Sequence, residues 1–258
     1  MYQISKLALI LSGIVFVTAC STSTDSATVA TDDGDSATIP EGISSTSLVG
    51  TSSSSVIAQS ENSAVVYTES DENLLMEFSA SGLAVTNDVN GCVTVEENLA
   101  TITCAGSFYM SGSSDDFQVL VDADTSAKVY LYLNNLSLTS ASDAPIYVRS
   151  ADKVFLMLVD GTTNSLSDAS TRTKIWSYTD EKGEAKTDTT GAAIYAKKDI
   201  TFKGNGSLTV SGNYNNGIQT AKDLKIKDVP SLVVTAENNG IKGKNSVEIE
   251  GGDRKRVV

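Results

Sequence analysis

The sequence predicts an all-β domain, a right-handed parallel β-helix of four to five coils with an N-terminal β cap. Three observations predict it. Aromatic residues make up 6% of the chain, which carries 19 Gly and only 3 Pro, a small-residue composition that suits a layered β core better than a helical bundle. Apolar residues alternate with period two in Val93-Thr94-Val95, Leu99 to Thr103, Lys128 to Leu133, Lys153 to Leu158 and Ser207 to Val210, whereas no stretch shows a period of 3.6. The third observation is a spacing of about 24 residues that aligns Ala192-Ala193-Ile194, Asn216-Gly217-Ile218 and Asn239-Gly240-Ile241. Each of these is followed by a second apolar segment, Ile200-Thr201-Phe202, Leu224-Lys225-Ile226 or Val247-Glu248-Ile249, and the first two by a third, Leu208-Thr209-Val210 or Leu232-Val233-Val234. Three segments per period, stacked on their counterparts, bury one continuous interior.

At the N-terminus, Lys6 precedes an apolar run from Leu7 to Val17 that is short for a membrane span and reads as a signal peptide over residues 1–19. Val17-Thr18-Ala19-Cys20 is similar to a bacterial lipobox, which makes Cys20 the lipidated mature N-terminus; an ordinary signal peptide with a chance cysteine is the alternative. Two or more acyl chains anchor a protein stably. Exported and lipid-anchored, the protein is then expected at the outer membrane or cell surface, touching the membrane through its lipid only. Residues 20–62, rich in Ser, Thr, Ala and Asp with Ser52 to Ser55 at the centre, lack the apolar surface to order themselves and read as a tether.

Residues 63–258 form the folded domain in this reading. Leu74 to Gly112 is expected to cap the first coil. Within it, Cys92 and Cys104 flank a hairpin centred on Glu96-Glu97-Asn98, and the oxidising location favours a disulfide over two buried thiols. The coils begin at Lys128, and an insertion from about Asp168 to Thr190 interrupts them. Past Gly252 the pattern stops at Asp253-Arg254-Lys255-Arg256, which reads as truncation or a frameshifted tail.

The runs Asp199 to Val210, Gly212 to Ile218 and Asp223 to Ile226, with Val129 to Leu136 and Ala144 to Val148 upstream, resemble a secreted carbohydrate-binding β-helix family of plant-polymer-degrading clostridia and many other bacteria. The match covers about Phe108 to Gly252. It implies a pectate-lyase-like shape that binds cellulose or polygalacturonate, with bound calcium. Calcium takes six to eight oxygens, several of them carboxylate, and Asp143, Asp152, Asp168 and Asp180 are the residues available to supply them.

Formal charge is −13 and pI is 4.4, which disfavours nucleic acid as a partner. From Gly191 onward, however, 11 Lys and Arg stand against 7 Asp and Glu. Lys198, Lys222 and Lys244 recur at coil spacing and form a candidate ladder for a carboxylate-bearing glycan; pairing with Asp199 and Asp223 to keep an edge soluble is the alternative. Trp176 and Tyr178, in the insertion, offer rings for sugar stacking, although Trp176 equally suits a plug of that loop. Asn215, Asn216, Asn238 and Asn239 occupy matching turns and read as stacked amides. With no histidine in the chain, histidine-based catalysis is excluded. Three functions follow: non-catalytic polysaccharide binding, an adhesin or surface spacer with a protein partner, and a calcium-dependent polysaccharide lyase in which Arg149 or Arg172 takes part.

Overall fold

The structure, a computed structural model, describes residues 72–180 and 182–251. The signal peptide, Cys20, the tether and the tail from Gly252 lie outside the described residues. Every regular element among the described residues is a strand. The first five are β1 (Leu75–Ser79), β2 (Gly82–Thr86), β3 (Val93–Glu96), β4 (Leu99–Ile102) and β5 (Gly106–Ser114). Next come β6 (Gln118–Asp122), β7 (Lys128–Thr139), β8 (Ile146–Ser150), β9 (Lys153–Leu158) and β10 (Thr163–Ser167). The insertion contributes β11 (Trp176–Thr179) and β12 (Ala185–Asp188). The remainder holds β13 (Ala192–Ala196), β14 (Asp199–Lys203), β15 (Ser207–Gly212), β16 (Asn216–Thr220), β17 (Asp223–Lys227), β18 (Ser231–Ala236), β19 (Ile241–Gly243) and β20 (Ser246–Glu250).

An eleven-stranded sheet follows the order β18-β15-β10-β7-β9-β14-β17-β20 with β5, β1 and β2 joined at β7, and a seven-stranded sheet follows β19-β16-β13-β8-β6-β4-β3. Both sheets are mixed. Antiparallel pairing is confined to β1–β2, β3–β4 and the separate insertion hairpin β11–β12; the other pairs are parallel. In register, Ile146, Ile194, Ile218 and Ile241 face one another across four successive strands. Ile200 faces Leu224, and Leu208 faces Leu232. Each strand therefore pairs with its counterpart one layer later, and alternate side chains meet in a shared interior where Leu131, Leu133, Ile146, Leu156, Ile194, Phe202 and Ile218 are fully buried.

Two features depart from the sequence expectation. Parallel stacking starts before Lys128, because β4 lies parallel to β6 and β5 parallel to β7, so the cap shrinks to the two antiparallel hairpins. The period-two pattern of Leu99 to Thr103 is that of a stacked strand, and the cap boundary drawn at Gly112 overlooked it. β7 also serves two walls of the stack: its first half pairs with β9 and its second with β10. Asn135, at φ 54°, turns the chain between them. The next layer answers that corner with Asn164, buried within a row of leucines, whose Oδ1 accepts the Leu136 N–H and whose Nδ2 donates to Ser207 O.

Cys92 and Cys104 form a disulfide across the base of the β3–β4 hairpin, with Cα atoms 5.2 Å apart. The matched asparagines also meet: Asn238 Nδ2 donates to Asn215 Oδ1 at 3.0 Å and Asn239 Nδ2 to Asn216 Oδ1 at 2.8 Å. At Gly204, φ is +108°, and a Cβ there would collide with the Leu158 carbonyl of the preceding layer. Glycine is required at that corner for both reasons.

Candidate functional site

The insertion hairpin stands beside the seven-stranded sheet and encloses with it a cleft of about 620 Å³. Asp122 ends β6, Arg149 nearly ends β8, Lys197 and Lys198 follow β13, and Tyr178, Asp180 and Lys182 come from the hairpin. Strand pairing in register places the first four side by side, because Val121 faces Val148 and Val148 faces Ala196. Four cations thus line the cleft with two carboxylates.

These groups hold one another. Arg149 Nε donates to Asp122 Oδ1 at 2.9 Å and Nη2 bonds Oδ2, a forked pair. That hydrogen bonding pushes the Arg149 pKa up, against the burial that opposes it. Lys197 Nζ lies 2.9 Å from Asp188 Oδ2 and 3.7 Å from the centroid of the Tyr178 ring. Asp188 Oδ2 also accepts the Tyr147 hydroxyl at 3.0 Å. Burial first, and the Asp188 carboxylate second, push the Tyr195 phenol up to about 12 and drive Tyr147 beyond any ordinary phenol. Asp188 therefore clamps hairpin, sheet and cleft wall together, with its charge turned toward Lys197.

The four aspartates expected to hold calcium do not converge. Asp143 and Asp168 are both buried and both bind Arg172, whose Nε lies 3.3 Å from Asp143 Oδ1 and whose Nη2 lies 2.5 Å from Asp168 Oδ2. Asp143 further accepts Trp176 Nε1 at 2.6 Å and the Thr190 hydroxyl, while Asp168 accepts the Asn213 N–H at 2.5 Å. Burial still pushes the Asp168 carboxyl up, with Arg172 and Asn213 pulling the other way. Asp180 builds the hairpin turn by accepting the N–H groups of Lys182 and Glu184, each at 2.9 Å. Asp152 is exposed in the turn between β8 and β9. Among the described residues no three acidic or cysteine side chains gather in a metal-binding group. Oxygens already filled by a guanidinium, an indole and a hydroxyl do not fit a calcium ion, which needs open carboxylate oxygens.

Trp176 is likewise corrected from platform to plug. It is buried, its ring meets Tyr147 edge-on with centroids 5.2 Å apart, and Lys174 Nζ sits 4.1 Å over it. Tyr178 does reach the cleft. Of the three ladder lysines, Lys198 and Lys222 fall in one column, since Ile200 faces Leu224. Lys244 drops out of it: Gly243 faces Thr220 and Ser246 faces Asp223, so Asn245 stands opposite Lys222. The residues that sequence reasoning missed are Asp122, Lys182, Lys197 and Asp188. Asp122 was findable, because it precedes Arg149 by 27 residues, close to one layer; Asp188 was not, because the insertion has no counterpart in other layers.

Residues 96–255 match the family described as carbohydrate-binding domain-containing protein. A relative with that same description, from Acetivibrio thermocellus, is 41% identical over 140 residues, which are 54% of this chain and 46% of the relative. The chain spans about half the length of that relative. Among solved structures, the polysaccharide lyase-like protein from C. thermocellum, in a gadolinium derivative, superposes with a TM-score of 0.62 at 38% identity. That likeness covers 70% of this chain and 68% of the other.

Proposed function

From the premise that this chain belongs to the carbohydrate-binding domain-containing protein family, we propose that it binds polysaccharide without cleaving it, and that the cleft beside the insertion hairpin takes a carboxylate-bearing sugar. One observation carries the reading. Arg149, Lys182, Lys197 and Lys198 converge on a cleft walled by Tyr178, in a chain whose formal net charge is −13. Asp122 and Asp188 fix Arg149 and Lys197 in place, so a ligand carboxylate meets cations that need little further ordering. The ring of Tyr178 provides an apolar wall for a sugar.

In the same reading the parallel stack winds as a right-handed β-helix, the handedness that strand crossovers of this kind favour. Cys20 carries the lipid that holds the protein at the cell surface, with the polar segment as tether. No step runs through calcium at Asp143, Asp152, Asp168 or Asp180, for the donor reasons given above. The names of the relatives leave one rival on the table, a lyase, and its product reports on it directly.

Calorimetric titration of the chain with an oligogalacturonate tests the reading. The expected result is saturable binding that weakens with salt, as ion pairs at a partly open site do, falls about tenfold or more in Lys197→Ala, and yields no unsaturated product absorbing in the ultraviolet. Binding that is indifferent to Lys197→Ala and Arg149→Ala would empty the cleft of its role. An absorbing product would replace binding with lyase activity.

A further inference from the structure

The outer face of β1, β5, β7 and β9 carries apolar side chains where a sheet face turned to solvent is ordinarily polar. In register, Leu75, Tyr109, Tyr132 and Met157 form one row across the four strands. Their neighbours along the strands, among them Met76, Phe108, Met110, Leu131, Leu133, and Leu156, belong to the core on the other face. A second outer row holds Tyr130 and Phe155. Tyr109 stacks on Tyr132 with centroids 4.5 Å apart, and Tyr130 on Phe155 at 4.7 Å.

The two rows are not equally covered. Tyr130 and Phe155 are half-buried, as rings that cover only each other are. Tyr109, Tyr132 and Met157 are 9%, 9% and 6% exposed, although they point away from the core. Burial pushes the Tyr132 phenol up, with Ser107 pulling the other way. Among the described residues, the half-buried apolar side chains packed against this group are Leu75, Tyr130 and Phe155, all members of the same wall. Stacking within the wall accounts for the second row and falls short for the first. The backbone ahead of β1 is fixed at the Leu75 end of that first row, because Asn87 Nδ2 donates to Asn73 O at 2.9 Å and the Tyr109 N–H to Leu74 O at 3.0 Å. The chain before Glu72 therefore joins the fold at the margin of the wall.

We propose that this wall is an internal docking surface for residues 63–71, which lie along it as a strap with Val65 and Tyr67 seated on the Tyr109–Tyr132–Met157 row. The segment has the composition for it. Ala64-Val65-Val66-Tyr67-Thr68 is β-prone, and Tyr67 is the only aromatic residue between Phe16 and Phe78. In an extended chain Val65 and Tyr67 share one face. Its length also fits. The row from Leu75 to Met157 crosses three strand spacings, about 14 Å, and the chain from Val65 to Glu72 spans up to about 23 Å when extended. Past Met157 the row continues to Lys203, and Glu61, four residues before Val65, is the acidic side chain an extended strap carries to that side. The folded unit then begins ahead of β1, and a pull on the preceding chain is borne by an apolar contact on the side wall instead of by the cap hairpins. This proposal is independent of the carbohydrate reading.

Two measurements on the full-length chain test it. In the first, Tyr67 is replaced by the photocrosslinker p-benzoylphenylalanine, and the adduct is mapped by mass spectrometry after irradiation. The expected adduct lies within one molecule, on peptides that carry Tyr109, Tyr132 or Met157. In the second, nitration of each tyrosine by tetranitromethane is followed in wild type and in Val65→Asp, with exposed Tyr214 as the internal standard and circular dichroism as the check on folding. Tyr109 and Tyr132 should react several-fold more slowly than Tyr214 in wild type and approach its rate in the variant. The proposal is overturned by an adduct that maps elsewhere or joins two molecules, the latter making a second copy the occupant. It is equally overturned if Tyr109 and Tyr132 keep their wild-type protection in Val65→Asp, or have none to lose.

Discussion

Single residues do much of the work that the apolar stack cannot. Arg172 is the clearest case, since its guanidinium is bonded to two buried carboxylates, those of Asp143 and Asp168. Arg172→Met leaves both acids buried without their counter-charge, which costs about 3–5 kcal/mol. Thermal or urea unfolding of the variant at neutral pH should show that loss, and the deficit should shrink in acid as the Asp168 carboxyl, already pushed up by burial, protonates. A variant as stable as wild type would mean that Asp143 and Asp168 are satisfied without it. The phenols near Asp188 predict a second effect. Because Tyr147 and Tyr195 ionise less readily in the native state than in the unfolded chain, the neutral phenols stabilise the fold below the ordinary tyrosine value of about 10. That stabilisation disappears as pH rises from there toward 12. Tyrosinate absorbance and the far-ultraviolet β signal should therefore change together at the top of an alkaline titration. All nine tyrosines ionising near pH 10, with the sheet signal intact, would refute this.

At the scale of elements, the N-terminal strands supply their own closure. The first end is closed by the β1–β2 and β3–β4 hairpins, the second of them pinned by Cys92–Cys104. A cross-link spanning 12 residues stabilises by about 3 kcal/mol through the unfolded chain. The Cys92→Ser, Cys104→Ser double variant should lose roughly that much in denaturant unfolding yet titrate oligogalacturonate as wild type does, because the cleft lies on later strands. Loss of sugar binding in that variant would tie the cap to the cleft. The insertion hairpin is the other element that matters. It joins the stack through Trp176, Asp188 and the loop residues around Arg172, and it turns one edge of the seven-stranded sheet into a cleft.

For the molecule as a whole, the alternation of Ile, Leu and Val was legible because burial on one face of a strand leaves a period of two, and because the layers after the insertion differ little in length. Ile194, Ile218 and Ile241 could be set opposite one another by spacing alone. Where that spacing slips by a residue the reading slips too, and Lys244 left its column for that reason. Charge chemistry was less legible, since an aspartate in a sequence does not reveal whether its oxygens face solvent or an arginine. Asp143 and Asp168 looked like metal ligands until Arg172, only four residues beyond Asp168, was found between them.

The stacked asparagines also bear on how the protein ages. A glycine after asparagine leaves its backbone nitrogen unhindered to attack the side-chain carbonyl, the route by which asparagine converts to aspartate. In the inner turn, Gly217 N–H is committed to Asn239 O at 3.0 Å, and buried Asn216 is held through both ends of its amide. Asn239, followed by Gly240, is exposed. Chemical wear should therefore begin there, and each conversion would exchange the amide donor facing Asn216 for a carboxylate. Asn216 would then lose its amide partner, so wear at Asn239 would spread to the turn stacked against it.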